Sequence, residues 1–171
     1  VDTQVGKIIQ YLEEEDALGD TIIVYSTDHG DMMGSHGLNR KGHQMHYQET
    51  NRIPMIVSHP DYPGGTNQKG LVSLVDLLPT LAAENGVTTQ QELDGRSFAS
   101  LLQGSGTQTR DWVISESYLV KGDPGGNGEH FDPEQFDPDT DAINMSACNG
   151  MAKYIFPSRD IDEYYDLVAD P

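Results

Sequence analysis

A short apolar run that stops at a polar, glycine-rich loop is what most constrains this chain. Ile22-Ile23-Val24-Tyr25 is bounded by Gly19-Asp20 on one side and by Gly30 on the other. An apolar run of that length between breakers reads as a strand buried on both faces. Past it come Ser26-Thr27-Asp28-His29-Gly30-Asp31-Met32-Met33-Gly34-Ser35-His36-Gly37-Leu38-Asn39-Arg40-Lys41. In open α/β sheets, ligands bind just beyond the carboxyl ends of such strands. Asp28 and His29 stand at that spot. A carboxylate and an imidazole side by side, with glycines and a lysine following, suit a metal and an oxyanion. A hydrolytic metal site is therefore the working reading.

Charge narrows the partners. The 171 residues carry 28 acidic and 10 basic side chains, a formal net charge of −18. Nucleic acid and anionic membranes would be repelled. The acidity is spread along the chain, Asp outnumbers Glu, and lysines are few. This suggests a protein adapted to salt, whose surface charge is screened at high ionic strength. One cysteine, Cys148, excludes an internal disulfide. No signal peptide or stretch of membrane-spanning length is present, so a cytoplasmic location is favoured. The chain begins at Val1-Asp2, which reads as the middle of a domain.

The rest of the chain reads as alternating helix and strand. Val5, Ile8, Ile9 and Leu12 define one face of a helix over 3–18, with Asp2 or Thr3 as cap and Gly19 as stop. Ile53 to Val57 reads as a second buried strand, parallel to the first, with Pro54 at its start. Val72 to Leu74 is a candidate short strand. Asp76 can cap a helix to about Glu84, with Pro79 in its first turn and Gly86 after its end. A short helix follows with Leu101 and Leu102, then a strand from Trp112 to Tyr118. Gly122 to Asp141 is an acidic loop rich in Gly and Pro. Met151 to Phe156 is the last strand, followed by an acidic, tyrosine-containing tail.

Other features read as structural. His36, His43 and His46 are loop or substrate-pocket groups, because their spacings do not match a compact zinc motif. Asp137-Pro138-Asp139-Thr140-Asp141 begins like a calcium loop but lacks the Gly and the acidic twelfth position. Asn144-Met145-Ser146 fits a glycosylation acceptor, a triplet common by chance. Arg52 and Glu49 read as an ion pair or as groups that orient the loop, Tyr164 and Tyr165 as packing residues. Trp112 reads as packing where a small terminal sheet meets the main domain.

Taken together, the strings resemble the sulfatase family of the alkaline phosphatase superfamily. The loop from Ser26 to Lys41 carries the likeness first. Val1-Asp2-Thr3-Gln4-Val5-Gly6 looks like the helix before the family's metal loop, and Arg52-Ile53-Pro54 like the strand after its active-site lysine. Val75-Asp76-Leu77-Leu78-Pro79-Thr80-Leu81 with Leu93-Asp94-Gly95-Arg96-Ser97 is similar to the next segment. Glu163-Tyr164-Tyr165-Asp166-Leu167 with Asp170-Pro171 looks like the closing motif.

The resemblance implies an α/β fold: the C-terminal part of a sulfatase domain, a mostly parallel sheet flanked by helices, over residues 1–110. A small β-containing subdomain over 111–171 would hold the acidic loop 122–141. It implies that Asp28 and His29 are metal ligands and that Lys41 contacts the transferred sulfate group. His29, where many sulfatases carry Asn, is more like choline-sulfatase-type enzymes and phosphonate monoester hydrolases. The metal would be calcium or manganese, the imidazole favouring the latter. The implied reaction is hydrolysis of a small sulfated substrate by a formylglycine nucleophile. The Cys/Ser-x-Pro-x-Arg motif that supplies that nucleophile is absent, because Cys148 is followed by Asn149-Gly150-Met151. The expectation is a C-terminal portion that does not turn over substrate alone. A phosphodiester or phosphonate monoester hydrolase, or a non-catalytic metal-binding fragment, are the alternatives.

Overall fold

A computed structural model describes residues 1–41, 46–106, 110–119, 142–157 and 161–170. The loop 122–141, the Asp137–Asp141 string and His43 lie outside those residues. Helix α1 (Asp2–Glu14) leads through a short 3₁₀ turn to strand β1 (Ile23–Ser26). After a long excursion come α2 (Gln48–Asn51) and β2 (Met55–Ser58). Helices α3 (Leu77–Glu84) and α4 (Ala99–Leu102) follow. Four strands complete the chain: β3 (Val113–Leu119), β4 (Ala142–Cys148), β5 (Ala152–Pro157) and β6 (Glu163–Asp166). Among the described residues no helix is long and apolar enough to cross a membrane.

The α/β class stands, but the described strands are not parallel. β1 and β2 pair antiparallel, Val24 opposite Val57. The four-stranded sheet, in the order β3-β4-β5-β6, is antiparallel throughout. The reason lies at the end of β1. A parallel return needs a crossover that carries the chain back to the start of the first strand. Here the excursion closes on itself instead. The Gly30 N–H donates to the Thr50 carbonyl at 2.8 Å, and the Ser26 hydroxyl to the Pro54 carbonyl at 2.8 Å. The chain re-enters at the end it left, so β2 must run backwards. The two strands are not buried on both faces either: Tyr25 and Ile56 are exposed.

Helix α1 is shorter than its apolar spacing suggests, and none of its residues is fully buried. Its N-cap is Val1, without a side-chain cap. Its stop is not Gly19 but Asp16, in the left-handed region at φ 55°. The Ala17 N–H reaches the Leu12 carbonyl and the Asp16 N–H the Glu13 carbonyl, a Schellman closure with Asp in the usual glycine place. At α3 the glycine does take that place: Gly86 has φ 63° and makes the same pair of bonds. Val72 to Leu74 is not a strand. Leu74–Asp76 is a 3₁₀ turn leading into α3.

Asp76 is fully buried and works as a knot. Its carboxylate accepts the backbone N–H groups of Ser73 and Arg96, both at 2.8 Å, and pairs with Arg110. Gly95 lies so near Val75 that a Cβ there would sit 1.9 Å from the carbonyl oxygen. Thr80 donates to the Asp76 carbonyl and accepts the Phe98 N–H. The Leu93-to-Ser97 string is thereby fastened to α3, and Phe98 and Leu101 are buried beside it.

The four-stranded sheet faces inward with its polar side. Asn144, Ser146 and Lys153 are buried together with Ile155. Ile114, Met145, Tyr154, Phe156 and Tyr164 are exposed on the other side. Trp112 is also exposed. Asn144 sits inside a strand paired on both sides, 1 % exposed, so it is not a glycosylation acceptor.

The polar face is held to the rest of the chain by His46. Its ring nitrogens meet Ser117 Oγ of β3 at 2.8 Å and Ser146 Oγ of β4 at 3.1 Å. Burial, helped by the charge of Lys153, pushes the His46 pKa from 6.5 down to about 4. The folded state therefore keeps this imidazole neutral where the unfolded chain would protonate it. Stability from this group is present above pH 6.5 and is lost as pH falls toward 4, by no more than about 3 kcal/mol. His46→Gln keeps a donor and an acceptor but cannot be protonated. Urea-unfolding midpoints followed between pH 7 and pH 4 should fall less steeply for the variant. An unchanged slope would remove His46 from the account of acid sensitivity.

Candidate active site

The strand β1 delivers Asp28 and His29 to the start of the excursion, and the loop backbone brings Lys41 back to them. The Met32 N–H donates to the Arg40 carbonyl at 3.0 Å, the Gly34 N–H to Leu38, and the Ser35 N–H to Met32. Met32 is fully buried and plugs the coil so formed. Met33, His36 and Arg40 hold positive φ, at 49°, 55° and 67°. Left-handed backbone at non-glycine positions costs energy and gathers where a loop is held in a special shape. The result is that Lys41, twelve residues after His29, places its Nζ 2.6 Å from the His29 Nε2.

Hydrogen bonds settle how the imidazole stands. His29 Nδ1 lies 2.7 Å from the Gly30 carbonyl oxygen, which can only accept, so Nδ1 carries the proton. Nε2 is left with its lone pair, which accepts from the Lys41 ammonium, while Asp28 Oδ2 stands 3.3 Å from the same nitrogen. A ring nitrogen pinned to a backbone carbonyl leaves the other free to bind a cation. Asp28 Oδ1 accepts the His29 N–H at 2.9 Å and the Thr27 hydroxyl at 3.2 Å. The His29 amide is the main cause that holds the Asp28 carboxyl below its usual range, so it is ionised at neutral pH.

This donor set suits a divalent cation. Ligand atoms that share one ion at about 2.1 Å stand about 3 Å apart, and Asp28 Oδ2 and His29 Nε2 already do. They make two ligands. Among the described residues no group of three or more His, Cys, Asp or Glu side chains converges for a metal.

The other loop histidines do different work. His36 stacks on Tyr47, ring centroids 4.1 Å apart, with the edge of Tyr165 beside both. Its Nε2 lies 3.8 Å from Glu49, so Glu49 pairs there and not with Arg52. Tyr165 is a packing residue in this aromatic cluster, and its phenol bonds Glu163. Tyr164 is exposed and meets Tyr154 edge-on. His46 is a buried tether, not a pocket group. The residue that sequence reasoning missed is Lys153, 2 % exposed on the inner face of β5. Its signal was there: Lys153 and Ile155 share one face by alternation, opposite Tyr154 and Phe156.

Comparison with known proteins follows the same lines. A family profile described as Sulfatase matches residues 1–87. The chain belongs to the sulfatase family. It is 30 % identical over 174 residues to an N-acetylglucosamine-6-O-sulfatase of Bacteroides thetaiotaomicron, covering all of this chain and 29 % of that protein. It is 27 % identical to a choline-sulfatase of Rhizobium meliloti, again over the whole chain and 30 % of the relative. Among solved structures it is similar to a phosphonate monoester hydrolase of Agrobacterium radiobacter. There the TM-score is 0.81 at 28 % identity, with 99 % of this chain and 33 % of that one covered. The chain thus spans about a third of the length of these relatives. The fold is that of the C-terminal portion of such a domain.

Gly30 is where this sulfatase loop is most tightly constrained. A Cβ there would lie 1.9 Å from the Glu49 carbonyl oxygen. Because the obstacle is backbone, Gly30→Ala should destabilise the fold by about 3 kcal/mol, the upper end of overpacking costs. Denaturant titration measures this. Wild-type stability in the variant would show that the neck tolerates a side chain.

Proposed function

We propose that the protein to which this chain belongs hydrolyses sulfate esters of small molecules, with Asp28 and His29 as two ligands of one divalent metal and Lys41 as the cation that meets the transferred group. The observation that carries this is the convergence of an ionised carboxylate, an imidazole Nε2 with its lone pair free of a proton, and an ammonium at the end of β1. The family of the chain supports the same assignment. The imidazole nitrogen favours manganese or another transition metal over calcium.

The metal would supply Lewis-acid polarisation of an ester oxygen. Asp28 offers charge in a set orientation, because its other oxygen is held by the His29 amide and the Thr27 hydroxyl. The His29 lone pair serves one partner at a time. Were a metal held there, Lys41 would be free of that nitrogen and its ammonium could turn to an anionic oxygen. That oxygen would be the one on which charge grows as the ester bond breaks. The nucleophile comes from a motif that this sequence does not contain.

A phosphonate monoester hydrolase is the second reading. Its support is the solved structure with a TM-score of 0.81, together with His29 at the second ligand position. Both ester types present a tetrahedral oxyanion to the same three groups.

In the full-length enzyme, Asp28→Ala should lower metal content and turnover together. Lys41→Ala should leave metal content unchanged and cost about 10²–10³-fold in rate, as loss of an oxyanion-stabilising donor does. Turnover of an aryl sulfate and of a phenyl phosphonate, with metal content by elemental analysis, tests both readings. Full activity in Lys41→Ala, or full metal content in Asp28→Ala, would overturn the assignment.

A further inference from the structure

The inward polar face of the four-stranded sheet floors a second pocket, of about 460 Å³. Its other wall is α2 with Arg52 and Ile53 just after it, and the stretch at residues 68–72. Arg52, Lys69 and Lys153 line it, together with Gln48, Asn51 and Ser146. Among the described residues no acidic side chain lines it. The whole sequence holds 28 acidic and only 10 basic residues, and three of those ten gather here. It shares no residue with the Asp28–His29–Lys41 cluster.

Lys153 distinguishes this pocket from a chance grouping of surface charge. It is 2 % exposed. Among the described residues no hydrogen-bond acceptor and no carboxylate within 4 Å meets its ammonium. Glu49 and Cys148 act on it only through their fields, while burial draws its pKa down from 10.5 to about 8. It is therefore still mainly charged at neutral pH. What little surface Lys153 keeps opens on this pocket; enclosing an ammonium this far is costly, and the natural compensation is an anion in the space it faces. The surroundings fit one. Arg52 and Lys69 are exposed at the rim, where a guanidinium can grip two oxygens at once. The Gln48 amide adds a neutral donor. The Asn51 amide is held by Ser146 Oγ at 3.1 Å, which fixes that wall.

We propose that this pocket binds a small dianionic oxyanion, such as inorganic sulfate or phosphate, with Lys153 as its buried anchor and Arg52 and Lys69 closing over it. Against three cations a dianion offsets most of the charge that the lining of the pocket gathers. Sulfate and phosphate share the tetrahedral chemistry that the site recognises, and titrating each in turn tells which one the pocket prefers.

The test uses the full chain carrying Lys41→Ala, which removes the cation of the other site. Sodium sulfate and sodium phosphate are titrated calorimetrically at ionic strength held constant with chloride. Saturable binding of one equivalent is expected. Lys153→Met, which keeps the length of the side chain, should weaken it at least tenfold, the effect of losing one charge-assisted hydrogen bond. Arg52→Ala with Lys69→Ala changes two exposed positions, so it tests the rim even if the Lys153 variant does not fold. That pair should weaken binding by a similar factor. Heat that chloride reproduces, or affinity that survives both the Lys153 and the Arg52–Lys69 substitutions, would overturn the proposal. Lys153 would then be a cation balanced by Glu49 alone.

Discussion

The fold turns on the neck of the loop, where Gly30 and Thr50 meet. One N–H to carbonyl bond at 2.8 Å joins two points of the chain twenty residues apart. The contact is possible because Gly30 has no side chain to strike the Glu49 carbonyl. Closing the excursion there has three consequences. The chain must re-enter beside β1 in the opposite direction. Asp28 and His29 are left just outside the neck, at the surface. The segment from His46 to Asn51 is delivered to the inner face of the terminal sheet.

That delivery explains why the sheet is polar on its buried side. Most sheets that cover a core turn apolar residues inward. Here the surface to be covered is a loop full of backbone and polar side chains, and hydrogen bonds meet it. His46 takes Ser117 and Ser146, Asn51 takes Ser146, and the Tyr47 phenol donates to Glu163. The seven buried polar residues outnumber the four buried apolar ones among the described residues. Such groups call for partners, since an orphan inside costs more than a bond contributes, and Lys153, which meets no acceptor among the described residues, faces the pocket instead. The loop and the sheet therefore hold each other, and the site inherits its order from that pairing. Asp76 does for α3 and the Gly95 turn what His46 does for the loop.

How far the sequence could be read follows from the same physics. The apolar run before Asp28 marked β1, and the glycine after Glu84 marked the end of α3. The adjacent carboxylate and imidazole were legible as a pair, since neighbours at a strand end need no fold to bring them together. Lys41 was legible as a cation suited to an oxyanion, but its return to His29 was not, because that depends on left-handed turns at Met33, His36 and Arg40 that no periodicity reveals. Strand direction was not legible: four apolar residues encode burial, and say nothing of which way the next strand runs. β4 and β6 were missed because their buried faces carry Asn144, Ser146 and Glu163, which read as loop and acidic tail. The same inversion hid Lys153, whose neighbours Tyr154 and Phe156 looked like the core side and are the exposed one.

The central claim is that the His29 Nε2 lone pair, with the Asp28 carboxylate, belongs to a metal. Electron spin-echo spectroscopy on the full-length protein loaded with Mn²⁺ tests it most directly. The account predicts nitrogen modulation from a directly bound imidazole in the wild type. It predicts loss of that modulation, with the metal retained, in His29→Asn, whose amide oxygen can replace the ring nitrogen. Bound manganese with no nitrogen modulation in the wild type would contradict it, and so would modulation that survives the substitution.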